Sequence, residues 1–247
     1  MSPHELYTLI DSFTNLKDFH LENFIEVFRS GTFSISGPPP IPEFKLDSLA
    51  LIAEDLPRGN PYSSSKDTFF EWISKTQCPL TLKKLKLLIG KRDIQDRAQF
   101  LSMLQNRVED LEILFVRRFG YNISDGQHES EMIANTINLG LNPGLKSLTL
   151  PDPANPAVCP LLSQVASPDI QTITFRIPIY RLEDMKRIDS HQLTRVLSAR
   201  NMATVSEVRF LYTGSFAYDD VYATFKELLP EVAQKGILRV GQVAVVA

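Results

Sequence analysis

The residues best suited to chemistry are four histidines, two cysteines and a few tight clusters of charge. His128 lies in DGQHESE beside Asp125, Glu129 and Glu131, a donor set that could hold a divalent metal ion. The same residues open a helix-period segment, where the helix dipole favours acids in the first turn, and that reading outweighs the metal one. His4, His20 and His191 stand apart from this cluster and from one another. Cys78 and Cys159 lie far apart and outside any metal spacing, so both read as small buried thiols in a reducing compartment. HExxH, CxxC, GxSxG, GxGxxG and Walker patterns are absent, and the 11 glycines are too dispersed to cradle a phosphate. No catalytic, cofactor-binding or metal-binding residues are expected, and no cofactor.

Other motifs suit binding, each with a plainer reading beside it. PPPIP at Pro38–Pro42 could form a polyproline ligand, yet no basic anchor flanks it and a stiff loop accounts for it. Trp72 beside Phe69 and Phe70 reads as helix packing, with Phe69, Phe70 and Ile73 on one face. Ser63, Ser64 and Ser65 give only a weak phosphorylation signal. Lys84 and Lys86 alternate with leucines, as Asp110 and Glu112 do one unit later, which places opposite charges on matching positions of two strands.

What positions these residues is a repeated phrase, LxxLxL. It occurs at Leu16, Phe19, Leu21; Leu46, Leu49, Leu51; Leu82, Leu85, Leu87; Val108, Leu111, Ile113; Leu145, Leu148, Leu150; Ile170, Ile173, Phe175; and Val205, Val208, Phe210. A frayed eighth phrase is read at Ile237 and Val240. Middle residues are separated by 30, 36, 26, 37, 25, 35 and 32 positions, so each step fits one supersecondary unit with a variable loop. Helix-period segments fill most gaps, as in DIQDRAQFLSMLQNR with Ile94, Ala98, Leu101 and Leu104. One strand and one helix cannot bury an apolar side alone, whereas stacked units bury a continuous core. Residues 1–247 are therefore expected to form a single α/β solenoid of leucine-rich-repeat type, with a curved parallel sheet on the concave face and helices on the convex face. About seven or eight irregular units are expected, with a mobile loop near 55–65 and a C-terminal cap over about 219–247. The Asn or Cys ladder that usually follows such strands is missing: Glu54, Val116, Pro153, Pro178 and Thr213 hold its later places, and only Asn23 lies close to it.

With the phrase residues pointing inward, the intervening ones face the concave side. The polar candidates for binding a protein are Asp18, His20, Glu22, Lys84, Lys86, Asp110, Glu112, Ser147, Thr149, Thr172, Thr174, Arg176, Glu207 and Arg209. Leu88, Leu114, Pro151 and Leu211 add an apolar column at one edge. A mixed-sign surface suits a protein partner, while nucleic acid would want a basic stripe with interleaved aromatics. The formal charge of −3 likewise gives no pull towards nucleic acid or an anionic membrane. No apolar run reaches the ~20 residues of a membrane span, and the N-terminus has no basic region ahead of an apolar one. A cytoplasmic or nuclear location is expected.

The passages FTNLKDFHLENF, FLSMLQNRVEDLEILF, INLGLNPGLKSLTL, LLSQVASPDIQTITF and FKELLPEVAQKGILRV resemble, in this order, the divergent leucine-rich-repeat proteins of mushroom-type fungi. Many of those are F-box proteins. The resemblance implies a helical F-box that docks the Skp-type adaptor of a ubiquitin ligase, and repeats that recruit its substrate. Met1 is followed almost at once by the first phrase, so the adaptor is expected only if an F-box lies upstream. The readings left open are a substrate-recognition arm and a repeat-only regulator or decoy, with an enzyme disfavoured.

Overall fold

In the computed structural model, residues 16–22, 45–52, 81–90, 94–115 and 123–243 are described. The backbone alone is described at 21–22 and 123–129. They form an α/β structure around one parallel sheet of eight strands, ordered as in the chain. The strands are β1 (Asp18–Glu22), β2 (Ser48–Ile52), β3 (Lys84–Ile89), β4 (Asp110–Phe115), β5 (Ser147–Leu150), β6 (Thr172–Pro178), β7 (Glu207–Thr213) and β8 (Leu238–Gln242). Parallel neighbours require crossovers. Among the described residues these carry α1 (Ile94–Leu104), α2 (Ile123–Thr136), α3 (Val158–Ser163), α4 (Ser190–Leu197), α5 (Tyr218–Leu228) and α6 (Pro230–Gln234), joined by short 3-10 turns.

Three of the helices show a local cause. Apolar Ile94, Phe100, Leu101 and Leu104 recur on one face of α1, with Asp96 in its first turn. Asp189 caps α4 by accepting the Gln192 N–H at 2.8 Å. Pro230 begins the separate helix α6, where its missing N–H costs nothing. Gly236 just beyond has φ +70°, the left-handed conformation in which glycine ends helices without strain.

The strands alternate, apart from the buried Leu88 of β3 and Thr174 of β6 and the irregular β8. From the second unit to the seventh every phrase residue is buried, and Leu82, Leu87, Leu111, Leu148, Ile173 and Val208 are fully so. They pack in one cluster with Leu161, Leu162, Leu193, Val221 and Phe225 from the helices. The third phrase position is aliphatic through β5 and becomes Phe175 and Phe210 in β6 and β7. Phe210 stacks on Phe175 at 5.1 Å and on Phe225 of α5 at 4.1 Å between centroids.

Middle phrase residues are aligned across the first seven strands, from Phe19 opposite Leu49 to Ile173 opposite Val208. The eighth differs from expectation: Val208 stands opposite Leu238, and Val240 opposite Phe210. Leu238 is thus the middle residue and Val240 the third. Lys235 takes the place of the first apolar residue, which is why the phrase looked frayed.

Two polar ladders bind unit to unit. From β1 to β6 the carbonyl just before the strand accepts two backbone N–H groups of the next unit. Lys17 O takes those of Asp47 and Ser48, and the same holds at Asp47, Lys83, Glu109, Lys146 and Gln171. The second ladder uses side chains. Thr81, Ser167 and Thr204 donate their hydroxyls to Leu46 O, Leu145 O and Ile170 O, each the first phrase residue of the preceding unit. These bonds lie ahead of the strands, not after them, where an Asn ladder would have been. At the other end of the sheet Arg239 Nη1 donates to Gly236 O and Leu238 O, both at 2.9 Å, and Gln242 Nε2 donates to Gly214 O at 2.7 Å.

No helix among the described residues is long and apolar enough to cross a membrane. PPPIP, the loop near 55–65 with its serines, the Phe69–Trp72–Ile73 segment, His4, Asn23 and Cys78 lie outside the described residues.

Candidate functional site

Among the described residues the helices pack on one face of the sheet and leave the other uncovered. Three rows of side chains cross this open face at right angles to the strands. The first holds Asp18, Ser48, Lys84, Asp110, Ser147, Thr172 and Glu207 in register. The second holds His20, Ala50, Lys86, Glu112, Thr149, Thr174, Arg209 and Arg239. The third contains Glu22 and Ile52 in register, then Leu88 and Leu114, then Arg176, Leu211 and Gly241, with Pro151 following β5. Every expected candidate is therefore on this face by backbone register, although the Glu22 side chain is outside the described ones.

The rows differ in access. Asp18, His20 and Lys84 are exposed, while Ser147, Thr149, Thr172, Glu207 and Arg209 are half-buried. Thr174 departs from expectation. It is only 4% exposed, enclosed by Thr149 and Arg209 in register and by Thr172 and Arg176 along its own strand, so a partner cannot reach it. Leu88 is likewise buried, and the apolar column is presented by Ile52, Leu114, Pro151 and Leu211.

Glu112 organises the centre. Its Oε1 lies 3.3 Å from Lys86 Nζ and 2.7 Å from Arg176 Nε. The Arg176 N–H is not aligned on that oxygen, so the contact is one of close charges and not a directed hydrogen bond. Lys86 and Glu112 face each other across β3 and β4, as their spacing predicts. Arg176 comes from β6 and reaches across β5 past Thr149, the residue in register with Glu112. The sequence placed both partners in the face but did not pair them, because the reach depends on side-chain conformation. On β7 Arg209 Nε and Nη2 grip the Glu207 carboxylate at 3.3 and 2.8 Å, a two-point contact that fixes the guanidinium plane.

Charges also alternate in the turn before the strands, through Lys17, Asp47, Lys83, Glu109 and Lys146. Lys146 Nζ lies 2.8 Å from Glu109 Oε2. Its hydrogen bond and charge, with a further contribution from Lys83, hold the Glu109 carboxyl below its usual range. The bond to Glu109 raises Lys146 in turn.

Sites for small molecules are less developed. A shallow cleft of about 590 Å³ is lined by Ser167, Arg200, Asn201 and Thr204 with Ala166 and Pro168. Three of its donors are spent on the fold: Ser167 on Leu145 O, Asn201 on Val165 O and Thr204 on Ile170 O. Cys159 is a buried free thiol whose burial pushes it up to about 11, far from a nucleophilic thiolate. Asp152, just past β5, is held above the usual carboxylate range by burial, although its Oδ1 accepts the Ala154 N–H at 2.9 Å. Among the described residues no three His, Cys, Asp or Glu come together as a metal site. The His128 side chain lies outside the described ones; its backbone lies in the second turn of α2, which starts five residues earlier at Ile123 and not at the acidic cluster as expected.

No protein-family model, curated protein or solved structure matches the chain.

Proposed function

We propose that the chain is a leucine-rich-repeat-like solenoid that acts without catalysis, recognising a protein on the concave strand face. One strand per unit, stacked in chain order and tied by the same backbone bonds from β1 to β7, supports the solenoid reading. The observation that carries the function is the uncovered face itself. Its rows are continuous over many strands, and the central charges are fixed by Glu112 and Glu207 before any partner arrives. A rigid, preoriented surface loses little side-chain freedom on binding. The resemblance to F-box repeat proteins makes recruitment of a ubiquitin-ligase substrate the specific form of this proposal. The adaptor would then be engaged through an F-box outside the repeats.

The test compares three tagged forms of the chain as bait: the natural protein, Lys84→Glu/Lys86→Glu on the strand face, and Arg195→Glu on α4. A protein retained by the first and third and lost from the second supports the proposal. Equal retention by all three, with unchanged circular dichroism, overturns it.

A further inference from the structure

The open face is uneven in charge, with acidic Asp18 and Glu22 on β1 and a positive excess on the strands from β3 onward. The whole chain is formally −3. Over β3–β8 the face carries Lys84, Lys86, Arg176, Arg209 and Arg239 against Asp110, Glu112 and Glu207, an excess of two positive charges. Arg176 and Arg209 are the accessible members at its centre, with side chains 38% and 42% exposed. Each is steadied on one side by a carboxylate: Arg176 through Nε, Arg209 through Nε and Nη2. A guanidinium has five donors, so each keeps N–H groups for an incoming acceptor. Glu112 lies between two cations, which leaves that cluster one positive charge in excess. Beside these groups run the half-buried apolar residues Leu114, Pro151 and Leu211.

We propose that this face binds an acidic, partly apolar segment of another protein laid across β4–β7. In this arrangement carboxylates of the segment meet Arg176 and Arg209, and its apolar side chains rest on Leu114, Pro151 and Leu211. The proposal rests on the face being a protein-binding surface and adds the chemistry of the partner. From β4 to β7 is three inter-strand steps, ~14 Å at about 4.8 Å each, a span that four or five extended residues cover. Nucleic acid fits less well. The rows from β2 to β8 contain no aromatic side chain on which a base could stack, and a two-charge excess neutralises few phosphates. Prior anchoring of the two arginines lowers the ordering cost of binding them.

The full chain is titrated by fluorescence anisotropy with four labelled probes of equal length: a Glu/Leu peptide, a Lys/Leu peptide, an all-Glu peptide and an oligo-dT strand. The Glu/Leu peptide binds best, the all-Glu peptide more weakly, and the Lys/Leu peptide and oligo-dT at least tenfold more weakly. Arg176→Gln/Arg209→Gln weakens the Glu/Leu peptide at least tenfold, while Arg200→Gln, away from this face, does not. Arg176→Glu/Arg209→Glu shifts preference towards the Lys/Leu peptide, a gain that a misfolded protein cannot give. Equal binding of the Lys/Leu peptide or oligo-dT to the natural chain overturns the proposal. So does a Glu/Leu affinity indifferent to both arginines, or no binding at all. If these probes fail while the bait experiment still loses a partner through Lys84→Glu/Lys86→Glu, the partner chemistry is wrong and the interaction face stands. If both fail, the face itself is wrong.

Discussion

Replacing Phe210 with Ala tests whether the core is built in columns. The ring is 0% exposed and lies between Phe175 at 5.1 Å and Phe225 at 4.1 Å, so it joins β6 to β7 and β7 to α5. Emptying a buried Phe site costs about 3–5 kcal/mol through lost transfer energy and the cavity left behind. The upper half of that range applies here, because two stacked contacts worth ~0.5–1.5 kcal/mol each go with the ring. At ~2–4 °C per kcal/mol for a chain of this size, the midpoint of thermal unfolding falls by roughly 8–20 °C. Phe210→Leu restores the aliphatic residue found at this column in β2, β3 and β5, and it should recover more than half of the loss. Urea unfolding followed by circular dichroism measures both variants against the natural protein. A loss below ~1 kcal/mol for Ala, or a Leu variant no better than Ala, would refute the columnar packing.

Ser167→Ala removes the hydroxyl that satisfies the Leu145 carbonyl in the interior and should cost about 1–3 kcal/mol in urea unfolding, whereas Thr204→Val, at an exposed residue, should cost less. Asp152→Asn keeps an oxygen for the Ala154 N–H while removing a desolvated charge. The folded-state carboxyl titrates above 3.8, so the natural protein loses stability relative to the variant as pH rises through that value; melts at pH 3 and pH 7 should show the variant gaining only at pH 7. The Glu109–Lys146 pair has the opposite profile at its acid end. Glu109 is depressed below 4.5 and Lys146 raised above 10.5, so the contribution of the pair is fully present between those values, fades as pH falls through the folded value of Glu109 and fades as pH rises through that of Lys146. Lys146→Met should flatten both edges of the stability–pH curve, and added salt should erase most of the difference.

The positions of seven strands and the inward set of the second to seventh phrases could be read from the sequence because side chains in a strand alternate and one face is core. A slip of one residue would have turned Leu148 and Leu150 outward. The last strand was displaced by two because Ile237 and Val240 have the spacing of a first and middle residue, while Lys235 hides the true start. The open-face rows followed directly from the same alternation. What did not follow was how their side chains lean: Arg176 over β5 onto Glu112, and the enclosure of Thr174. Both depend on rotamers and neighbours from three strands. The hydroxyl ladder of Thr81, Ser167 and Thr204 was hidden for another reason, since Ser and Thr are common in loops and their regularity emerges only when the units are aligned.

The outermost strand has a consequence for how molecules behave at high concentration. A bare strand edge is a template on which further strands can grow. β7 uses the Ile237 carbonyl, so the Leu238 carbonyl points away from the sheet, and Arg239 bends back to occupy it. A bulky cation therefore sits on the rim where another molecule would have to add its first hydrogen bond. At this position an incoming strand meets a cation and an acceptor already in use.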